Sequence, residues 1–461
     1  MSKISIIGAG AAGASLSLLL RSEGHEVDLF DGRPDPRGAA GAAYKSIAVT
    51  LSERGFRVLR SLGLEEELQR RSRAVAGRVM HSRTGEAFTQ IYDASGQVLR
   101  CVSRLNIDLM LLEAAQKEGG VGIHFLHECV DLNIGKNQVT FKDKNNSKVI
   151  EVESDYVIAA DGPGSQIRQK MEARGLVKSE AISFPGGYKE FLIPPDKNGN
   201  WALDPGYVHM WPRGDFVFIL FPVLAGEFIG MLFLPNDSNA TRKPEAERDF
   251  VGSEFADLVA LAPNIVSRYV ETPIMPLRRL RCRPWSYSER FTLIGDAAHT
   301  ILPFYGQGMN ASLEDCEILA QCLGRHQLSD SPLADYEYLR KPNADAIDEL
   351  ALEHYHYLSR FAETKESIRK KELEAELNKR FPSEFVPIYT LVAFTSLPYK
   401  TCQKMGELQG HLLDQLVSCE STFSWESQET RKALDDYLQA NRKLRHPESE
   451  SSDEPEALVM A

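Results

Sequence analysis

Gly8-Ala9-Gly10-Ala11-Ala12-Gly13 follows the short apolar run Ile4 to Ile7 and opens a stretch of small and apolar residues, and acidic Asp31 ends the next apolar run. Glycines at that spacing suit a dinucleotide phosphate. Gly8 permits the tight turn, Gly10 lets a pyrophosphate approach the backbone, and Gly13 lets a helix pack on its strand, with Ala12 in the first helical turn. The helix N-terminus attracts the anion. Asp31 is placed to accept ribose hydroxyls. The motif alone does not separate a flavin from a nicotinamide dinucleotide. A second loop-to-helix junction, Gly306-Gln307-Gly308-Met309-Asn310-Ala311, follows Gly295-Asp296. Its N–H groups and the positive helix end suit stabilisation of negative charge on a reduced ring.

The elements that must hold these turns are readable in outline. Residues 4–7, 11–21 and 26–31 read as strand, helix and strand, one βαβ unit. A helical stretch is expected from Ser52 to Ser72, mixed strands from Gly77 to Leu99, and a helix from Asn106 to Gln116. Hairpin turns are expected at Gly135-Lys136-Asn137 and Asp143-Lys144-Asn145-Asn146. Strands at Val208 to Met210, Phe216 to Phe221 and Phe228 to Leu234 imply a separate sheet. At Phe291 the first pattern returns as a strand, a Gly-Asp turn and a helix from Gly308. The expected architecture is α/β. A discontinuous Rossmann-type domain takes residues 1–75, 100–180 and 280–330, a mixed β-sheet substrate domain 76–99 and 181–279, and a helical region 331–445. The acidic, Ser/Pro-rich tail 446–461 reads as disordered.

Length and composition bound the function. With 461 residues, 43% of them hydrophobic, the chain exceeds what one core holds and predicts more than one domain. A net charge of −12 offers no basic face for nucleic acid. The first apolar run is broken by glycines and serines, and no later run reaches the roughly 18 residues of a membrane span, so neither a secretory signal nor a membrane anchor is expected. Cys101, Cys129, Cys282, Cys316, Cys322, Cys402 and Cys419 are scattered without a Cys-x-x-Cys pair. They read as reduced cytoplasmic thiols rather than disulfides or metal ligands.

Two further segments carry a family resemblance. Ala160-Asp161-Gly162-Pro163-Gly164-Ser165-Gln166-Ile167-Arg168 resembles the D-G motif of flavoprotein aromatic hydroxylases, and Leu293-Ile294-Gly295-Asp296-Ala297-Ala298-His299 their G-D motif. From about Ile4 to Lys400 the chain resembles the kynurenine 3-monooxygenase group of single-component FAD-dependent hydroxylases. Its segments include Arg33-Pro34-Asp35-Pro36-Arg37, Gly187-Tyr188-Lys189-Glu190, His209-Met210-Trp211-Pro212-Arg213-Gly214-Asp215 and Pro303-Phe304-Tyr305-Gly306. The resemblance implies FAD held by Gly8, Gly10, Ala12, Gly13, Asp31, Arg33, Arg104, Asp161, Asp296, Gly306, Gly308, Met309 and Asn310. It implies NADPH or NADH as a visiting electron donor, since no second dinucleotide unit exists.

The resemblance also implies that a substrate carboxylate is held by Arg78, Tyr92 and Tyr389, with Pro303, Phe304 and Tyr305 around its ring. His354 stands where the family has an asparagine that helps bind the amino-acid group, so it is either a ligand or a core imidazole. Ala48 replaces another asparagine and Lys45 an arginine. Tyr188, Lys189 and Glu190 are either site or scaffold. The activity implied is hydroxylation of an arylamine carboxylate such as kynurenine, with O2 as co-substrate; an amino group makes such a ring nucleophilic, so no acid/base residue is assigned. Another aromatic carboxylate, or a noncatalytic FAD-binding role, is the alternative. A halogenase is disfavoured because Trp211-Pro212-Arg213 lacks the Trp-x-Trp-x-Ile pattern.

Overall fold

A computed structural model describes residues 1–38, 47–196, 198–235, 244–324, 331–359, 365–418 and 424–445. Lys45, Cys419 and the tail 446–461 lie outside the described residues. The expected βαβ unit is present as Lys3–Ile7, Ala11–Ser22 and Glu26–Asp31. These strands join a six-stranded sheet in the order Ser286–Tyr287, Phe291–Leu293, Tyr156–Ala159, Lys3–Ile7, Glu26–Asp31, Val121–Phe125. All neighbours are parallel except the first pair. Distant parts of the chain therefore meet in one sheet, which aligns three sequence motifs along one edge. Ile4, Ile6, Val157, Ile158 and Phe291 are buried, as parallel strands covered on both faces require.

An eight-stranded, mainly antiparallel sheet runs His299–Thr300, Met275–Arg283, Lys178–Ile193, Phe228–Pro235, Val217–Pro222, Tyr207–Pro212, Gly77–His81, Ala87–Ile91. Strand alternation divides its side chains cleanly. Met210, Val217, Ile219, Met231 and Phe233 join the core shared with the C-terminal helices. Trp211, Phe218, Leu220, Leu232 and Leu234 point the other way, onto Pro244–Glu254, Ala256–Leu261 and Ile265–Glu271. Those three short helices were not anticipated within the stretch read as β-sheet. Lys189 ties them down, donating to Glu247 at 3.2 Å and to the Tyr269 carbonyl at 3.0 Å. The single helix expected over Ser52 to Ser72 is two, Glu53–Ser61 and Glu65–Arg71, broken at Gly63 with φ +69°.

Helix Gly308–Leu323 carries two adjacent buried carboxylates that organise its surroundings. Asp315 accepts from Gly295 N at 3.1 Å, His299 at 2.6 Å and Arg340 at 2.8 Å. Glu314 accepts from Arg54 at 2.9 Å and Arg340 at 3.3 Å, and Arg54 also donates to the Val392 carbonyl at 2.7 Å. The Gly-Asp turn, the helix Glu53–Ser61 and the helices Pro332–Ser359 and Ile388–Phe394 are all pinned to one buried network. Burial by itself would raise the Asp315 carboxyl; His299 and Arg340 outweigh it and hold it at about 2.

Asp315→Asn should cost about 3–5 kcal/mol, because Arg340 is left buried with a weakened partner set. Since the folded pKa of Asp315 is depressed, its contribution is present above the unfolded value near 4 and is lost as pH falls toward about 2. Denaturant midpoints measured across that acid range should fall more steeply for wild type than for Asp315→Asn; equal slopes would remove Asp315 as the source.

Candidate active site

Two glycines of the first turn are required by the protein's own packing and one is not. A Cβ on Gly8 would stand 2.3 Å from the Ala160 carbonyl oxygen, and one on Gly13 1.9 Å from that of Gly8. A Cβ on Gly10 would meet only Arg104 Nη2, at 4.0 Å. The space left at Gly10 faces a cleft. Helix Ala11–Ser22 begins there with no side-chain cap and no acidic residue in its first turn, so its N–H groups are available to an anion. A cavity of about 490 Å³ runs from Gly10 past Asp31, Arg33, Arg104 and Asp161. It shares Gly10, Arg104 and Gly162 with a second of about 220 Å³, whose wall includes Ala12, Asp296, Gly306, Gly308 and Met309. An elongated cleft with an open helix end at its middle fits a flavin dinucleotide.

The individual residues are used unequally. Asp31 accepts from Ala9 N at 2.8 Å and from Arg33 through its backbone N at 2.8 Å, Nε at 3.0 Å and Nη2 at 2.7 Å. Its acceptor sites are thus taken, and a ribose would have to displace the half-exposed Arg33 guanidinium. Asp161 caps the next helix through Gln166 N at 2.7 Å and leaves Oδ1 buried without a partner. Asp108, one turn along from Arg104, likewise turns a buried Oδ1 to the cleft wall; no motif marks it, and only its spacing from Arg104 could have. Burial raises both carboxyls above their ordinary range.

The Asp296 side chain lines the cleft and has no hydrogen bond among the described residues. The Asn310 side chain is engaged within the protein: Oδ1 accepts from Ser52 N at 2.9 Å and Nδ2 donates to Thr50 and Gly306 carbonyls. Its amide instead holds the Gly306 turn against the strand Ala48–Leu51. Arg168 of the D-G segment donates to the carbonyls of Ala297 and Pro163, both at 2.6 Å, locking that turn to the G-D turn.

Beyond Asp296 the 220 Å³ cavity becomes apolar, lined by Met210, Ile219, Met231 and Phe233 of the large sheet and by the 3-10 turn Pro303–Tyr305, with Ala48 at one edge. Tyr92, Tyr305 and Tyr389 bound it and also bound a third chamber of about 760 Å³. Their rings stack, Tyr92 on Tyr389 at 5.1 Å and Tyr305 on Tyr389 at 5.4 Å. The Tyr305 hydroxyl is buried without a partner among the described residues. Arg78 and His354 lie in the third chamber, so they and the ring-lining Pro303 and Phe304 fall in two compartments with a tyrosine wall between them.

Arg78 is buried, donates to Gln90 Oε1 at 2.9 Å, and has His354 Nε2 3.5 Å from Nη1. Burial and the Arg78 charge hold His354 well below its ordinary pKa, so it faces the guanidinium as neutral imidazole. Gln90 and Tyr357, which complete these surroundings, carry no motif. Arg54, Arg168, Arg213, Arg279 and Arg340 are also buried, and each has a carboxylate within ion-pair distance. Arg78 has none among the described residues. A desolvated cation without a counter-ion is costly, which suits a site that receives an anion.

Within the segments Gly187–Glu190 and His209–Asp215, Met210 faces the cavity, whereas Trp211 and Lys189 are scaffold. Trp211 is buried against His81 at 4.2 Å and donates to Asp257 at 2.8 Å, on the sheet face away from the cleft. Lys189 serves the same face.

Residues 1–351 match the family model described as FAD binding domain. A kynurenine 3-monooxygenase of Stenotrophomonas maltophilia is 36% identical over 415 residues, 89% of this chain and 91% of its own. One from Legionella pneumophila is 33% identical over 446 residues, 95% and 98% of the two chains. Among solved structures, 2-methyl-3-hydroxypyridine-5-carboxylic acid oxygenase has a TM-score of 0.66 at 17% identity, covering 80% of this chain and 95% of its own. Pseudomonas aeruginosa PqsL in complex with 2-aminobenzoylacetate has a TM-score of 0.62 at 21% identity, covering 78% and 96%. At those identities the structural likeness concerns the fold.

The glycine geometry predicts opposite failures for two substitutions. Gly10→Glu should fold and melt near wild type yet purify without flavin colour, because the side chain enters the open cleft. Gly13→Ala should lose stability, since its methyl meets backbone. Flavin absorbance after desalting, read beside a thermal melt, separates them; a folded Gly10→Glu that keeps FAD would reject the phosphate position.

Proposed function

Since the chain belongs to the FAD-binding-domain family, in its kynurenine 3-monooxygenase-like group, we propose that it hydroxylates the ring of kynurenine or a close arylamine amino acid. It is a flavoprotein monooxygenase that draws electrons from NAD(P)H. When bound, FAD supplies the electron storage and oxygen activation. The turns at Gly10, Gly162 and Gly306 would hold it, with Arg104 at the pyrophosphate and Asp296 at the ribityl chain.

The protein's own work is orientation and exclusion of water. Met210, Ile219, Met231, Phe233 and Phe304 make a dry wall for an aromatic ring beside the cofactor cleft. Tyr92, Tyr305 and Tyr389 stand between ring and carboxylate, and Arg78 receives the carboxylate in the next chamber through its fork of donors. The observation that carries this reading is Arg78, a buried arginine with no carboxylate within ion-pair distance among the described residues.

Among the described residues no helix is long and apolar enough to cross a membrane. The described cysteines are free and buried, which supports a reducing, cytoplasmic setting for the enzyme.

Arg78→Met should weaken substrate binding by about 2–5 kcal/mol while FAD content and folding persist. Arg78→Lys should recover part of that loss, because an ammonium lacks the two parallel N–H groups. The check is kynurenine-stimulated NAD(P)H oxidation with product formation at equal flavin occupancy. Unchanged substrate affinity in Arg78→Met would reject the carboxylate clamp.

A further inference from the structure

The chamber that holds Arg78 extends to the helix Lys365–Arg380, and Lys371 and Glu374 of that helix line it. The two stand three residues apart, hence on one helical face. Lys371 Nζ lies 4.7 Å from the Tyr357 ring centroid, and the Arg78 guanidinium carbon lies 5.8 Å from the same ring. Two cations thus approach one ring in one cavity. Burial, with the Arg78 charge adding to it and Glu374 opposing it, pulls the Lys371 ammonium down to about 7. Glu374 makes no hydrogen bond or ion pair among the described residues; burial raises its carboxyl, while Lys371 and Arg78 act in the other direction.

Two cations and one carboxylate around a chamber of about 760 Å³ complement a group that carries its own anion and cation on neighbouring atoms. An α-amino acid is such a group. A plain carboxylate would satisfy the cations and leave Glu374 desolvated without a partner.

We propose that Lys371 and Glu374 are specificity-determining residues for the amino-acid end of the substrate, Lys371 joining Arg78 on the α-carboxylate and Glu374 accepting from the α-ammonium. This rests on the assignment of an arylamine amino acid to the site. The helix Lys365–Arg380 then selects amino acids over simple aryl-keto acids, while the ring pocket beside the flavin sees the same aromatic group in both.

The test compares L-kynurenine with its deaminated analogue, 4-(2-aminophenyl)-4-oxobutanoate, on the FAD-loaded enzyme. Wild type should prefer kynurenine. Glu374→Gln should raise KM for kynurenine about tenfold, the equivalent of one lost charge-assisted contact, and leave the analogue nearly unchanged. Lys371→Met should raise KM for both by a similar factor, and Lys371→Arg should restore it. In each variant kcat, FAD content and melting temperature should stay near wild type, because neither residue touches the reacting ring. Wild-type preference that survives Glu374→Gln, or a KM unmoved by Lys371→Met, overturns the assignment alone. A wild-type enzyme that hydroxylates neither compound rejects the substrate reading and this assignment with it.

Discussion

Two neighbouring carboxylates inside the molecule, Glu314 and Asp315, set the constraint from which the site geometry follows. Each must be matched by cations and donors because neither can be hydrated, and the groups that match them come from three separate parts of the chain. Satisfying Asp315 fixes the backbone of the Gly295-Asp296 turn; satisfying Glu314 brings in Arg54, which in turn grips the helix Ile388–Phe394 at Val392. The cofactor turn and the helices that close the substrate chamber are thereby positioned by one electrostatic requirement.

Around that centre the cleft divides by chemistry. The first compartment is polar and open to backbone N–H groups, the second is a sheet face of methionines and aromatics, and the third concentrates charge. The order matches an elongated phosphate-bearing cofactor, a neutral ring and an ionic tail. A stack of Tyr92, Tyr305 and Tyr389 serves as the boundary between the last two, because a phenol offers an apolar face to one side and a hydroxyl to the other.

Several residues singled out by motif use their side chains to support the site. Asn310 secures the Gly306 turn, Arg168 joins two loops, and Trp211 and Lys189 hold the sheet to its outer helices. Such residues recur in a family as readily as ligands do, since a misplaced turn removes a cofactor contact as surely as a missing side chain. Asp31 belongs partly to this group, with Arg33 occupying the acceptors that a ribose would use.

Local backbone chemistry was legible in the chain itself. Gly8 and Gly13 are dictated by contacts within one βαβ unit, and the alternation of Val217, Phe218, Ile219 and Leu220 already separates the two faces of the sheet. The order of three turn motifs likewise established a flavin-type α/β architecture. The short helices over residues 244–271 escaped because segments of one to three turns carry little periodicity of their own. What no sequence pattern supplies is which buried charge lacks a partner. Arg54 and Arg78 are alike as residues, yet Arg54 meets Glu314 while Arg78 meets His354, 276 positions away, and lines a chamber with Lys371 and Glu374. Compensation of charge depends on groups brought together only when the chain closes: the resemblance singles out Arg78, and the tertiary structure decides that no carboxylate stands within ion-pair distance of it among the described residues.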